Sequence, residues 1–430
     1  MNDFSANVLH INYSDNSGGA ARSAYKIHSG LRDISWKSRM LVRWKVTQDS
    51  DVDDIRSQNP LVKFGDGVGR KVIDRWLNLQ YLYYPSSFAL MKHPWFQSAD
   101  ILQIYNLHGF TGFFTYRALP KISNQKPVVW RLSDMWPLTG HCSYSYECDR
   151  WKTGCGACPH LDEYPALSRD TTALLWRIKK EVYKCSKIVL VATNNWMKKV
   201  LQSSPLMGHF PVDIIPNGID TNIFYPLSQV EARKTFGIPS NRKVVLFTAY
   251  QIWEIRKGGQ YVHDVMQKVA ASGIDNLTLI VMGKGANSWA DDPNYQTMKI
   301  EFTSNDQVLA NAYAAADVYL HPAIVENFPN SVLESMGCGT TCVAFNTGGV
   351  SDVVLHLETG YLARHKDIDD MAKGVKLLLE NPELLERLSN NCQNFIASEY
   401  TLERQAQRHA HLYHKSVSYT HLTLPTTYGV

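Results

Sequence analysis

Two glutamates bracket the stretch Glu326-Asn327-Phe328-Pro329-Asn330-Ser331-Val332-Leu333-Glu334. The stretch follows a short apolar run at 318–320, and Pro329 suits only the first turn of a helix, where a missing N–H costs nothing. Glu326 is therefore expected in a loop and Glu334 on a helix. Fully helical, the spacing would span ~12 Å, too far for carboxylates that share a proton. The pair would instead address different parts of one extended ligand. Between them, the free N–H groups where the helix starts, at Asn330, would suit a phosphate. The alternative is a loop glutamate and an unrelated solvent-facing one.

Two further segments favour the first reading. Arg256-Lys257-Gly258-Gly259 lies between an expected strand and an expected helix. There Lys257 would set a point charge beside a diphosphate and Arg256 could add a planar fork. Gly348-Gly349 follows the next strand and can begin another phosphate-facing turn. All three segments fall at the carboxyl ends of strands, where open α/β sheets bind ligands.

A separate chemistry is suggested by Cys142, Cys148, Cys155 and Cys158, which fall within 17 residues as C-x5-C-x6-C-x2-C. Four thiolates ending in C-x2-C suit a closed tetrahedral zinc site, with His141 and His160 as spare ligands. Reduced free thiols are the alternative. Arg70, Lys71, Arg75 and Lys92 interleave with Trp76, Tyr81, Tyr83, Tyr84, Phe88, Trp95 and Phe96. That mixture suits an anionic membrane interface, and equally a core helix with a solvated face. No recognised nucleic-acid-binding module is present, so no nucleic-acid partner is expected.

The elements that must position these residues read as two α/β halves. Strands are expected over 8–11, 38–42, 101–105, 128–132 and 188–193, and the first leads through Gly18-Gly19 into a helix over 20–31. After a strand at 214–215 that runs into turn chemistry at 216–220 the pattern restarts, with strands over 243–249, 277–282, 318–320 and 341–345. Helices are expected over 259–270, 306–316 and 331–336. The expected domains are 1–215, carrying the Cys-rich loop 141–160, and 216–400, with a helix over 401–416 packing back. Two such halves make a cleft where ligands commonly sit.

With 430 residues, 44% hydrophobic and 20% charged, the chain is globular rather than disordered or fibrous. No apolar run reaches the ~18 residues of a spanning helix, and Met1-Asn2-Asp3-Phe4 lacks a signal-peptide pattern. A cytoplasmic protein with reduced thiols is expected. Residues 1–214 carry 27 Lys and Arg against 18 Asp and Glu, whereas 215–430 carry 17 against 22. A basic first half suggests an anionic partner, whether a membrane surface such as the cytoplasmic face of the inner membrane, nucleic acid or a phosphorylated substrate; the alternative is that charge simply drifts along the chain. Residues 417–430 resemble a translated sequencing-library adapter and are expected to contribute nothing to the fold.

Together these motifs resemble the retaining glycosyltransferases of family 4, which have the GT-B fold of two Rossmann-like domains. The resemblance is carried by Asn16-Ser17-Gly18-Gly19-Ala20-Ala21-Arg22, Ile215-Pro216-Asn217-Gly218-Ile219-Asp220, Lys257-Gly258 and the Glu326 to Glu334 segment. Cys338-Gly339-Thr340 and Thr347-Gly348-Gly349-Val350-Ser351-Asp352 extend it. The stretch from Arg131 through Asp134 to Cys142 is similar to a subgroup that builds bacterial surface polysaccharides. The resemblance implies a UDP- or GDP-sugar donor, a glycan or lipid-linked acceptor, and no catalytic metal. It implies that Glu334 binds the ribose hydroxyls, that Glu326 lies near the donor sugar, and that Lys257 binds the diphosphate. Gly18 and Gly19 would face the donor phosphates, and Asp134 and His108 are the acceptor-side candidates. The sequence departs from the family where Gln251 replaces an arginine, Thr341 a proline and Ser133 a histidine. A catalytically inactive sugar-nucleotide sensor, a GT-B epimerase or a sugar-phosphate synthase are the competing readings.

Overall fold

A computed structural model describes residues 6–423 apart from 57, 110 and 111. The chain divides into two compact units, Met1–Pro216 with Glu403–Val430, and Asn217–Leu402. In the first, seven strands form one parallel sheet: β1 (Asn7–Ser14), β2 (Lys37–Trp44), β3 (Val52–Asp54), β4 (Ile101–Ile104), β5 (Val128–Arg131), β6 (Ile188–Ala192) and β7 (Val212–Ile214). Their order is β3-β2-β1-β4-β5-β6-β7.

Alternate residues of each strand feed two separate cores. Leu9, Ile11, Leu102, Ile104 and Trp130 enter one, while Val8, Ile101 and Val129 enter the other with Ala24, Ile27 and Leu31 of the helix Gly19–Asp33. A strand buried on both faces is what makes these segments near-continuously apolar. The long C-terminal helix, Leu402–Thr423, lends Ala410, Leu412 and Tyr413 to the second core. Tyr413 also donates to Gln103 at 2.8 Å.

The second unit repeats the arrangement with β8 (Lys243–Gln251), β9 (Leu277–Lys284), β10 (Gln296–Ile300), β11 (Val318–His321), β12 (Thr341–Phe345) and β13 (Gly360–Ala363). Its order is β10-β9-β8-β11-β12-β13, again all parallel. Val244 and Leu246 face one core, Val245 and Phe247 the other. In both units the order reverses beside the first strand, between β1 and β4 and between β8 and β11. Loops diverge there and leave a crevice at the carboxyl ends.

Three features differ from the sequence reading. The short strands β3, β10 and β13 were not expected, because three to five residues of mixed polarity carry little periodicity. Pro329 caps the helix Asn330–Gly337 rather than entering its first turn, with an extended backbone. The final helix runs on to Thr423, into the segment read as an adapter, and 424–430 lie outside the described residues.

Candidate functional site

The second unit gathers the expected residues at its switch point. After β8 a short turn, Ile255–Lys257, ends at Gly258, whose φ of +76° is left-handed. A Cβ on Gly258 would lie 1.8 Å from the Pro322 carbonyl oxygen, so glycine is required for the loops after β8 and β11 to meet. The Ile324 N–H donates to the Arg256 carbonyl at 2.9 Å and fixes that meeting. On the other side, Gly348 has φ +52° and its Cβ would lie 1.7 Å from the Glu326 carbonyl oxygen. Gly349 N–H donates to that same oxygen at 3.3 Å, and Thr347 Oγ1 donates to the Ile324 carbonyl at 3.0 Å. The loop 322–329 is thus held from both sides by the two glycine turns.

That clamp fixes Glu326, which is 5% exposed. Lys257 Nζ lies 2.6 Å from its Oε2 and Arg256 Nη1 3.3 Å from the same atom. Arg256 also reaches Glu254, at 2.8 Å. Burial alone would raise the Glu326 carboxyl, but Lys257, Arg256 and His321 hold it at about 2. His321, ending β11, is buried, and its Nε2 has no hydrogen-bond partner among the described residues. Burial pushes it down to about 3, against the pull of Glu326 and with the help of Lys257 and Arg256. The imidazole is therefore neutral at physiological pH, an acceptor or donor without a charge.

Glu334 stands half-buried on the helix Asn330–Gly337 and accepts a hydrogen bond from Tyr313 at 3.3 Å. Asn330, at the helix start, accepts from Asn217 Nδ2 at 2.6 Å. Gln251 pairs in register with Lys284 at the ends of β8 and β9. A cation therefore stands beside the position where the arginine is missing, while Arg256 is already shared between two carboxylates.

In the first unit Gly18 (φ +87°) caps the 15-residue helix Gly19–Asp33, which has no acid in its first turn. Open space surrounds both Gly18 and Gly19, as an anion-facing turn requires. His108 and Asp134 do come together: His108 Nε2 lies 3.2 Å from Asp134 Oδ2 and 3.3 Å from Ser143 Oγ. Asp134 also accepts from Asn106 Nδ2 at 3.3 Å and from the Trp136 N–H at 2.9 Å. The His108 ring stacks on Trp136 with centroids 4.9 Å apart. At 4% and 7% exposed, the pair meets solvent only at its edge. Below it, buried Lys179 donates to the carbonyls of Trp136 (2.6 Å) and Thr139 (2.9 Å), and burial pushes its ammonium down to about 7.

Cys142, Cys148, Cys155 and Cys158 are unbridged and line one pocket together with His141. His160 is not among its lining residues. The basic and aromatic stretch divides. Tyr81, Tyr84 and Phe96 are core residues, which corrects their reading as interface aromatics. Trp76, Tyr83 and Phe88 are exposed, as are Leu61 and Phe64 at 80% and 74%. Among the described residues no helix is long and apolar enough to cross a membrane.

The sequence reading missed His321, Glu254, Asn106 and Ser143. Only His321 left a trace, as a polar residue ending an otherwise apolar strand.

Residues 228–395 match the family model for glycosyl transferases group 1. That segment holds Arg256, Lys257, Glu326 and Glu334. WcaC of Escherichia coli K12, whose name places it in colanic acid biosynthesis, is 25% identical over 55% of this chain and 57% of its own. An Escherichia coli protein named UDP-Gal:alpha-D-GlcNAc-diphosphoundecaprenol alpha-1,3-galactosyltransferase is 22% identical over 52% of this chain and 59% of its own. The chain thus spans a little over half the length of the curated relatives it matches. Among solved structures, Anabaena Alr3699/HepE in complex with UDP superposes with a TM-score of 0.65 at 16% identity, over 95% of this chain and all of that one. WaaG, a glycosyltransferase involved in lipopolysaccharide biosynthesis, gives 0.60 at 16% identity, over 94% and 99%. The fold is GT-B.

Proposed function

We propose that this chain is a retaining glycosyltransferase that moves a sugar from a nucleotide-sugar donor to a glycan acceptor, lipid-linked, in the assembly of a surface polysaccharide. One observation carries the reading: the buried Glu326 carboxylate holds Lys257 and Arg256 at the switch point, with Glu334 following on the next helix. The arrangement matches the parts of a nucleotide sugar. Glu334 takes the ribose hydroxyls, as a carboxylate accepting two O–H groups would. Lys257, Arg256 and the N–H groups starting the helix Asn330–Gly337 neutralise the diphosphate, on which charge grows as it departs. Glu326 fixes both cations and lies beside the donor sugar. Held at about 2, it stays ionised and cannot act as a general acid at neutral pH.

In a retaining transfer without a protein nucleophile, the leaving phosphate takes the acceptor hydroxyl's proton on the same face from which it departs. The chain's task is then to hold the diphosphate and exclude water. His108 and Asp134 are assigned to the acceptor side, with Asp134 keeping the imidazole oriented. The relatives named for colanic acid synthesis and for a diphosphoundecaprenol acceptor support a lipid-linked glycan. Exposed Leu61, Phe64 and Trp76 beside Lys63, Arg70, Lys71 and Arg75 support peripheral contact with an anionic membrane on the cytoplasmic face.

Nucleotide release from a panel of UDP-, GDP- and ADP-sugars, with and without lipid-linked glycan, tests the reading. Acceptor-dependent release with an axial product linkage from an axial donor supports it. Tight donor binding with no release under any acceptor would favour an inactive sensor, the reading to which Gln251 lends its weight.

A further inference from the structure

Between the turn Trp136–Leu138 and the helix Thr172–Lys184, the chain runs 33 residues with one three-residue 3-10 turn as its only helix or strand. So long a stretch needs tethers of another kind. Its four cysteines converge: Cys142, Cys148, Cys155 and Cys158 line a single pocket with His141, although the residues around them are mostly polar. Convergence is achieved by unusual backbone. Gly154, Cys155, Gly156 and Ala157 have φ of +128°, +56°, +93° and +44°, four left-handed residues in succession. Two of them carry side chains that disfavour this region.

The strained run is pinned on every side. Gly154 and Cys155 N–H groups donate to the Arg150 carbonyl, at 3.0 and 2.8 Å. Gly156 N–H donates to Thr172 Oγ1 at 2.9 Å and Cys158 N–H to Asp170 Oδ2 at 2.8 Å. The outcome is that both sulfurs of the C-x2-C turn into the pocket.

Two polar contacts within the pocket have the form of a metal site. Gly140 N–H points at Cys155 Sγ, 3.2 Å away, as backbone amides do at coordinated thiolates. His141 Nδ1 lies 3.1 Å from the Pro165 carbonyl oxygen and must donate to it, because a carbonyl only accepts. That fixes the tautomer and leaves the Nε2 lone pair facing Cys158 Sγ at 3.4 Å. A ligating histidine is oriented in this same way. Zinc bonds of roughly 2.0 Å to nitrogen and 2.3 Å to sulfur, at the tetrahedral angle, put the two atoms about 3.5 Å apart.

We propose that this pocket binds one structural zinc ion through four of five donors, the thiolates of Cys142, Cys148, Cys155 and Cys158 and Nε2 of His141. Each coordinating thiol releases its proton to solvent on binding. Among the described residues no three of these groups already stand at coordinating separations, so the sulfurs close on the ion by side-chain rotation. All positions are filled by protein, which leaves no place for an activated water. The metal braces the loop that presents Ser143 and Tyr164 to His108.

Elemental analysis of the purified full chain should find one zinc per chain. Cobalt(II) exchanged into the site should show sulfur-to-metal charge-transfer bands with the intensity of at least three thiolates and the visible bands of a tetrahedral ion. Cys155→Ser with Cys158→Ser should abolish both signals, whereas Cys185→Ser, an exposed thiol outside the pocket, should keep them. The cobalt spectrum of the unaltered chain decides the matter even if the double variant fails to fold. Absence of bound metal together with four thiols freely alkylated in the native protein would overturn the proposal. So would disulfides among these cysteines, or a cobalt spectrum showing fewer than three sulfurs. None of these readouts depends on glycosyl transfer.

Discussion

Replacing Glu326 by glutamine keeps the side chain's size and removes its charge. The carboxyl stands at about 2 in the folded protein against an ordinary value of 4.5. At ~1.4 kcal/mol per pH unit, that depression contributes on the order of 3 kcal/mol of stability at pH 7. The sign follows from the direction. A carboxylate depressed on folding stabilises fully above its unfolded value, and the contribution is lost as pH falls from about 4.5 through about 2. At pH 3 the same linkage leaves about half of that contribution. Glu326→Gln should therefore be about 3 kcal/mol less stable than the unaltered chain at pH 7, and the difference should halve at pH 3. Hydrogen exchange of the β11 and β12 amides, followed by mass spectrometry, reads this locally in the second unit. Equal protection at pH 7, or a difference that stays the same at pH 3, would refute the reasoning.

Gly258→Ala should disrupt the clamp, because it combines a left-handed φ with a Cβ 1.8 Å from the Pro322 oxygen. Gly273→Ala, equally left-handed but with nothing within 4 Å, should cost only about 1 kcal/mol; urea titrations in which the two lose equal stability would contradict the clamp. Phe64→Ser combined with Leu61→Ser should reduce sedimentation with anionic vesicles and leave neutral vesicles unaffected. Unchanged sedimentation would place these side chains outside any membrane contact.

Much of the fold was legible because strands buried on both faces leave continuous apolar runs, as at 188–192 and 277–282. The strands β3, β10 and β13 left no such trace, since they lie toward the edges and are short. The site was legible where glycine is sterically required. Gly258 and Gly348 each have a carbonyl oxygen where a Cβ would go, and each stands beside the residue that matters. His108 and Asp134 were legible as candidates, but their further partners were not. Asn106 and His108 follow β4 while Asp134 and Ser143 follow β5, and only the adjacency of β4 and β5 with the following loop brings Asn106 to Asp134 and Ser143 to His108. The surroundings of Arg256 were not legible either: Glu254 and Glu326 both engage it, and Lys284 is the residue in register with Gln251.

The central claim is that the second unit binds a nucleotide sugar through Glu334 and the cations set by Glu326. Calorimetric titration of the full chain with UDP-, GDP- and ADP-sugars tests it most directly. A charge-assisted hydrogen bond contributes about 1.5–3 kcal/mol. At least one donor should therefore bind, with affinity falling roughly ten- to hundredfold in folded Glu334→Gln. Binding of no nucleotide sugar by the folded chain, or binding left unchanged by Glu334→Gln, would contradict the account.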